Sequence, residues 1–441
     1  MSRRVLLRAA LSGLFVATSS LVVAGAVLTA PVGATDTSTI RSCGWILEPS
    51  ADRENILFPD TATRYLAAAI PTPPNGWVEL RGQFPHARYM SLQTYSLTLQ
   101  TATNLHDVDI VPDAGSTNPF VTGADRNAAQ RNYTVRILQG RQPASNVPPN
   151  TLYTNDASGS KNGISFAYRI YLPDHGTGNF GGVPAPQITI VLNNGAVRIP
   201  LPTCPSLLPD DTFLTTTLAG LGLPNLHLPP VGLLAPKVPV WRKYVNAPTT
   251  YATDVTENQY TYNSLSPLIE KYTAKLPAGL GENADNKYVY AYLSREWGAV
   301  ALLRGRLPVT PKTFDGESTM SAPGQLRYWS LCTANRSTQT YACVNDENVA
   351  VDANGYFTIA ISTAAQRPAN ATAACGISWL PWGIDLKGVA YMRNMMASPD
   401  FPHAIQNATY GTEKQTLGAY YPVGTYYKTT AAFEQQVGCH P

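Results

Sequence analysis

The chain has 441 residues, enough for two or more domains with cores of their own. Charged residues make up only 14% of it and the formal net charge is +3, too small a surplus to point to a nucleic-acid partner. Its 24 tyrosines, 36 prolines and 33 glycines suit many short strands joined by turns and disfavour long helices.

In chain order, Arg3, Arg4 and Arg8 are followed by an apolar run from Leu11 to Val27 and by the small residues Val32-Gly33-Ala34. That pattern reads as a signal peptide over residues 1–34, with no stable membrane insertion after cleavage. Ser2-Arg3-Arg4-Val5-Leu6-Leu7-Arg8 also looks like a twin-arginine signal. General secretion or twin-arginine export would each deliver the product outside the cytoplasm, to the periplasm, the envelope or the medium. Six cysteines remain, Cys43, Cys204, Cys332, Cys343, Cys375 and Cys439, an even set that predicts disulfides in an exported chain. Cys43 and Cys204 bracket a first unit, Cys332 and Cys343 flank a short polar loop, and Cys375 is left to Cys439. Other connectivities stay open at this point.

A polar lead-in runs to about residue 55. The first β unit, residues 35–204 with that lead-in, has strand composition at Val78–Arg81, Tyr89–Tyr95, Tyr133–Leu138, Phe166–Leu172 and Gln187–Leu192. Asp113-Ala114-Gly115, Pro148-Pro149-Asn150 and Asn193-Asn194-Gly195 punctuate it as turns. Residues 205–286 form a connector. Its first part is rich in Pro, Leu and Gly with no strand or helix period, and Ser266-Pro267 opens one short capped helix. A second β unit follows over residues 287–441.

The two units share residues at nearly constant spacing. At a shift of 223, Tyr65, Leu80, Arg81 and Gly82 meet Tyr288, Leu303, Arg304 and Gly305. At 239, Arg88, Tyr89, Ser91, Asp107 and Asp113 meet Arg327, Tyr328, Ser330, Asp346 and Asp352. At 224, Tyr133 and Arg169 meet Phe357 and Arg393. Loop-length changes between two copies of one β domain would leave this pattern. The expected fold is all-β: two related jelly-roll-like sandwiches joined by the connector, with an immunoglobulin-like sandwich as the alternative.

The phrases Tyr168-Arg169-Ile170-Tyr171-Leu172-Pro173-Asp174, Arg327-Tyr328-Trp329-Ser330-Leu331-Cys332 and Trp379-Leu380-Pro381-Trp382-Gly383 resemble a family of exported bacterial proteins of unknown function. Pro399-Asp400-Phe401-Pro402-His403-Ala404-Ile405-Gln406-Asn407 adds to the likeness, which covers most of the mature chain. It implies an exported, β-rich, actinobacterial-type protein and brings no chemistry with it.

The sequence has no Gly-x-Ser-x-Gly elbow, His-Glu-x-x-His, phosphate loop or dinucleotide fingerprint, so no cofactor is implied. The six histidines are scattered and there is no Cys-x-x-Cys, which leaves no metal ligand set in sequence. The most polar constellation is Arg393, Asn394, Asp400, His403, Gln406 and Asn407. There His403 would act as acid–base, Asp400 as its orienter and Arg393 as anion stabiliser. The bland alternative pairs Arg393 with Asp400 at a strand end. Trp379 and Trp382, with Trp329 and Tyr391, offer an aromatic platform on which a sugar could stack. Arg88 and Arg327 sit mid-strand, where an unpaired charge is expensive to bury. They predict either one arginine–carboxylate brace within each unit or a ligand cleft lined by both. Three functional expectations follow: an exported protein binding a glycan or other small polar ligand, a hydrolase or lyase built on His403, and an envelope component.

Overall fold

Strands form where β-branched and aromatic runs lie between turn residues. The computed structural model of the chain describes residues 43–70, 73, 75–96, 100–154, 164–202, 204, 235–245, 281–335 and 338–439. The expected signal peptide, most of the connector and the short helix after Ser266 lie outside the described residues. All described residues belong to one unit drawn from Ile40–Leu208 and Leu226–Pro441.

The first half contributes β1 (Thr63–Ile70), β2 (Trp77–Gln83), β3 (Ala87–Tyr95), β4 (Thr101–His106), β5 (Asn132–Leu138), β6 (Thr151–Tyr153), β7 (Ile164–Pro173), β8 (Gln187–Leu192) and β9 (Val197–Leu201). They form two sheets, ordered β1-β7-β3-β4 and β6-β5-β2-β8-β9. Asn193, Asn194 and Gly195 turn β8 into β9 with φ of 51°, 56° and 101°, a left-handed run that Asn and Gly accept most readily. The second half contributes β10 (Arg242–Lys243), β11 (Asn286–Ser294), β12 (Val300–Arg306), β13 (Tyr328–Ala334), β14 (Thr340–Asn345), β15 (Tyr356–Ser362), β16 (Ser378–Pro381), β17 (Lys387–Met395) and β18 (Val423–Tyr427). Its sheets are ordered β10-β11-β17-β13-β14 and β16-β15-β12-β18. Two short helices close the chain, α1 (Glu413–Leu417) and α2 (Thr430–Val437).

Strand for strand, β1-β7-β3-β4 has the order of β11-β17-β13-β14, and β6-β5-β2-β8 that of β16-β15-β12-β18. Among the described residues each half has one parallel strand pair, β5 with β6 and β15 with β16, in matching places. The fold is therefore all-β, two sandwiches of the class the composition predicts. The halves are unequal at their edges. Among the described residues the first half adds β9 at one sheet edge, and the second half adds β10 at another.

Each sandwich closes on its own apolar core. Leu80, Val135 and Ile190 from one sheet meet Met90, Leu92 and Ile170 from the other, while Leu303, Phe357 and Ile359 meet Leu331, Met392 and Trp329. The lead-in and the connector are less peripheral than their sequence suggests. Trp45 is in the first core, and Trp241 is in the second, its indole N–H donating to the Pro422 carbonyl at 2.7 Å. The second sandwich thus recruits residues 235–245, well before the boundary expected near residue 287. All three disulfides join the cysteines paired above: Cys43–Cys204, Cys332–Cys343 and Cys375–Cys439.

Strands β3 and β13 are buried along their whole length, and β7 and β17 nearly so. One face of each packs in its own core. The other face carries Tyr89, Tyr171, Tyr328 and Met395, which pack together across the seam between the sandwiches. This double burial explains why polar side chains on these strands had to find partners across the seam.

Candidate functional site

The seam is held by two arginines that exchange partners. Arg88 donates from Nη1 to Asp346 Oδ2 at 2.6 Å, from Nε to Thr313 Oγ1 at 2.7 Å, and from Nη2 to Glu347. Arg327 Nη2 lies 3.6 Å from Asp107 Oδ1. Each guanidinium also donates to the other arginine's backbone carbonyl at 3.4 Å. The aspartates behave as mates too: Asp107 accepts the Met90 amide and Asp346 the Trp329 amide, both at 3.0 Å. The expectation of one brace inside each unit is therefore corrected. The braces run between units, because β3 and β13 face each other and place each arginine beside the other half's carboxylate. Asp113 and Asp352 take no part. They bond Thr134 and Arg304 instead.

Deeper in the seam lie Arg169 and Arg393, one from each middle strand. Arg393 donates to Asp60 Oδ2 at 2.9 Å, to Cys332 Sγ at 3.1 Å and to the Phe58 carbonyl at 2.5 Å, with its guanidinium 4.7 Å from the Tyr391 ring centre. Arg169 donates to Gln93, to Tyr95 and to the Gly281 carbonyl, the last at 2.7 Å. Burial works against both charges, but the surrounding tyrosines, and Asp60 in the case of Arg393, hold the two groups more firmly protonated than usual. Burial likewise pushes the hydroxyls of Tyr95 and Tyr391 up to about 12, so they act here as neutral hydrogen-bonding groups.

The structure does not assemble the expected His403 site. Arg393 is sealed in the seam on Asp60, and no hydrogen bond or ion pair joins it or His403 to Asp400 among the described residues. His403 is exposed, with Nδ1 2.8 Å from the Thr416 carbonyl and its ring stacked on Tyr420. Asn394 is buried, Gln406 donates to its carbonyl at 2.8 Å, and Asn407 ties down the Phe401 carbonyl at 3.1 Å. These residues lock a turn. The aromatic platform is dispersed as well. Trp382 and Trp329 are core residues, Tyr391 is in the seam, and Trp379 lies beneath the Arg367 guanidinium at 4.8 Å. Arg88 and Arg327 are likewise consumed by their carboxylates rather than lining an open cleft. Asp60, Cys332 and Cys343 come together as potential metal ligands. Both thiols are spent in a disulfide and Arg393 occupies the carboxylate, so the cluster is structural.

A pocket of about 220 Å3 does open at one end of the seam. Arg64 and Thr61 at the start of β1, and Asn179 beyond β7, line it from the first half. Asn345, Glu347 and Asn348 line it from the second. Phe314 and Leu172 give it an apolar wall, and Leu172 is held left-handed, at φ 48°, as it donates to the Ala62 carbonyl. Its charges are internally matched: Arg64 pairs with Asp52, and Glu347 pairs with Arg88 and with Lys312 at 3.2 Å. Asn345 spends its Oδ1 on the Glu347 and Asn348 amides. None of these pocket residues stood out in the sequence. The available signal was divergence between halves, since Glu347 stands where the first half has Val108, and Asn348 where it has Asp109.

Two solved structures resemble this one over most of the chain. An uncharacterised protein of Burkholderia cenocepacia matches with a TM-score of 0.49 at 11% identity, covering 86% of this chain and 79% of its own. The VPA0106 protein of Vibrio parahaemolyticus matches with a TM-score of 0.40 at 13% identity, covering 86% and 92%. No family model matches the chain, and no curated protein does.

Proposed function

We propose that this is an exported, non-catalytic binding protein that holds a small neutral polyhydroxylated ligand, a single sugar unit or its like, in the pocket at the seam. The observation that carries this reading is the lining of that pocket from both sandwiches, with its charged groups already paired. A charged ligand would have to displace Asp52 or Lys312. A neutral one can use the amides of Asn179, Asn345 and Asn348 and lie against Phe314, the mix of polar groups and aromatic face that suits sugar rings. The volume, about 220 Å3, falls below the roughly 300–1,000 Å3 of pockets for drug-sized ligands, so the ligand is about one ring in size.

Export rests on the N-terminal pattern and is supported by three disulfides, which persist in oxidising compartments. Among the described residues no helix is long and apolar enough to cross a membrane. The repeated strand order and the exchanged arginines support descent of the two sandwiches from one duplicated unit. The test is a thermal-shift screen of monosaccharides and short glycans on the mature chain, repeated with Asn348→Ala at the exposed rim of the pocket. A saturating ligand should raise Tm in the native protein, since a ligand at 100 times its Kd adds about 2.7 kcal/mol, and should do so much less in the variant. A sugar that stabilises both proteins equally, or no stabilising sugar at all, would sink the proposal.

A further inference from the structure

The opposite corner of the seam has its own polar cluster, and its members differ from those around the pocket. His106, the last residue of β4, stands where the second half has Asn345. Its Nδ1 lies 3.4 Å from Asp285 Oδ1, and its Nε2 lies 3.2 Å from Asp109 Oδ2. These are ion-pair distances rather than aligned hydrogen bonds, and two carboxylates flanking one ring favour its cationic form by charge. Asp285 belongs to the other sandwich, immediately before β11, and its second oxygen accepts from Tyr89 at 2.6 Å and from Asn104 at 2.8 Å. Its carbonyl also accepts the amide of Met396, just beyond β17. One residue thus ties β3 and β4 of the first half, through its carboxylate, to the start of β11 and, through its carbonyl, to the end of β17 of the second.

We propose that His106 is a proton-operated latch between the two sandwiches, closed when its ring is cationic and bridges Asp285 to Asp109, and weakened when the ring is neutral. The titratable and charged groups around it are Asp107 and Asp109 on the turn after β4, Asp285 before β11, and Tyr89 on β3 behind Asp285. Arg327 lies one step further, on Asp107. Burial alone would lower the histidine's pKa. The close approach and charge of Asp285, reinforced by Asp107 and Asp109, outweigh that and raise it above the ordinary histidine value. For Asp285, burial pulls up, but His106, Tyr89 and Asn104 together bring its carboxyl below the usual range. The sign follows. A histidine raised in the folded state contributes its stabilisation in full below about pH 6.5, and that contribution is lost as the pH rises through the folded value.

The test uses the mature chain with isotope-labelled histidines. The Cε1–H resonance that disappears in His106→Gln is followed by NMR from pH 5 to 9, and Tm is measured over the same range. The expected midpoint lies above 6.5 and falls in Asp285→Asn. The native protein should lose about 2 °C or more of Tm relative to His106→Gln between pH 6 and pH 9. A midpoint at or below 6.5, or parallel Tm profiles for native protein and variant, overturns the latch. If Asp285→Asn does not fold, the native titration and the His106→Gln profile still decide.

Discussion

Arg88 and Asp346 are both fully buried, and each is the other's counter-charge across the seam. Arg88 also leans on Glu347, whereas Asp346 pairs with no other cation among the described residues. Arg88→Ala, which strands Asp346, is expected to destabilise the protein by about 3–5 kcal/mol, read as a lower denaturant midpoint. The surface pair Arg304–Asp352 has the same chemistry without the burial, so Asp352→Ala should change stability by no more than about 1 kcal/mol. His403 is the complementary control. Its ring is exposed and bonded only through the Thr416 carbonyl, so His403→Ala should leave ligand stabilisation unchanged and shift stability by less than about 0.5 kcal/mol. A loss of ligand response in that variant would return attention to the 393–407 segment.

At the scale of elements, Phe357 and Ile359 on β15 close the second core against β13 and β17. Ile359→Ala should cost about 2–5 kcal/mol, measured by chemical denaturation. Such strands were legible in the sequence. The predicted segments 78–81, 89–95, 133–138, 166–172 and 187–192 all fall within β2, β3, β5, β7 and β8. They are short, β-branched or aromatic, and bounded by turn residues. Strands β1, β4, β6 and β9 were not read from the sequence; Thr101–His106 and Thr151–Tyr153 have no apolar alternation, while β9 does alternate but carries a proline. The disulfide pairing was legible too, since the cysteines bracket structural units. What sequence could not show was the partner of each buried charge. Arg88 and Arg327 stood out for the right reason, a charge expensive to bury, whereas Arg393 stood out as an anion stabiliser and is instead a buried seam charge. Their carboxylates lie 258, 220 and 333 residues away in the chain, and no local pattern records a contact made only when two sandwiches dock.

For the whole molecule, the seam decides whether the two sandwiches behave as one. Asp60 leads into the first sandwich yet holds Arg393, Ser330 and Tyr328 of the second. Asp285 leads into the second yet holds Tyr89 of the first. Calorimetry of the native chain should therefore give one transition, and Asp346→Ala should split it into two as the sandwiches lose their coupling. The exchange of arginines also has a consequence for the order in which the protein can be made. A ribosome produces the first sandwich long before residues 346 and 347 exist. Arg88 must wait through 258 further residues for its carboxylate, and Asp107 through 220 for its arginine. The newly made first half is thus an unfinished surface with a cation and an anion waiting in the open, and its last folding step is the arrival of the rest of its own chain.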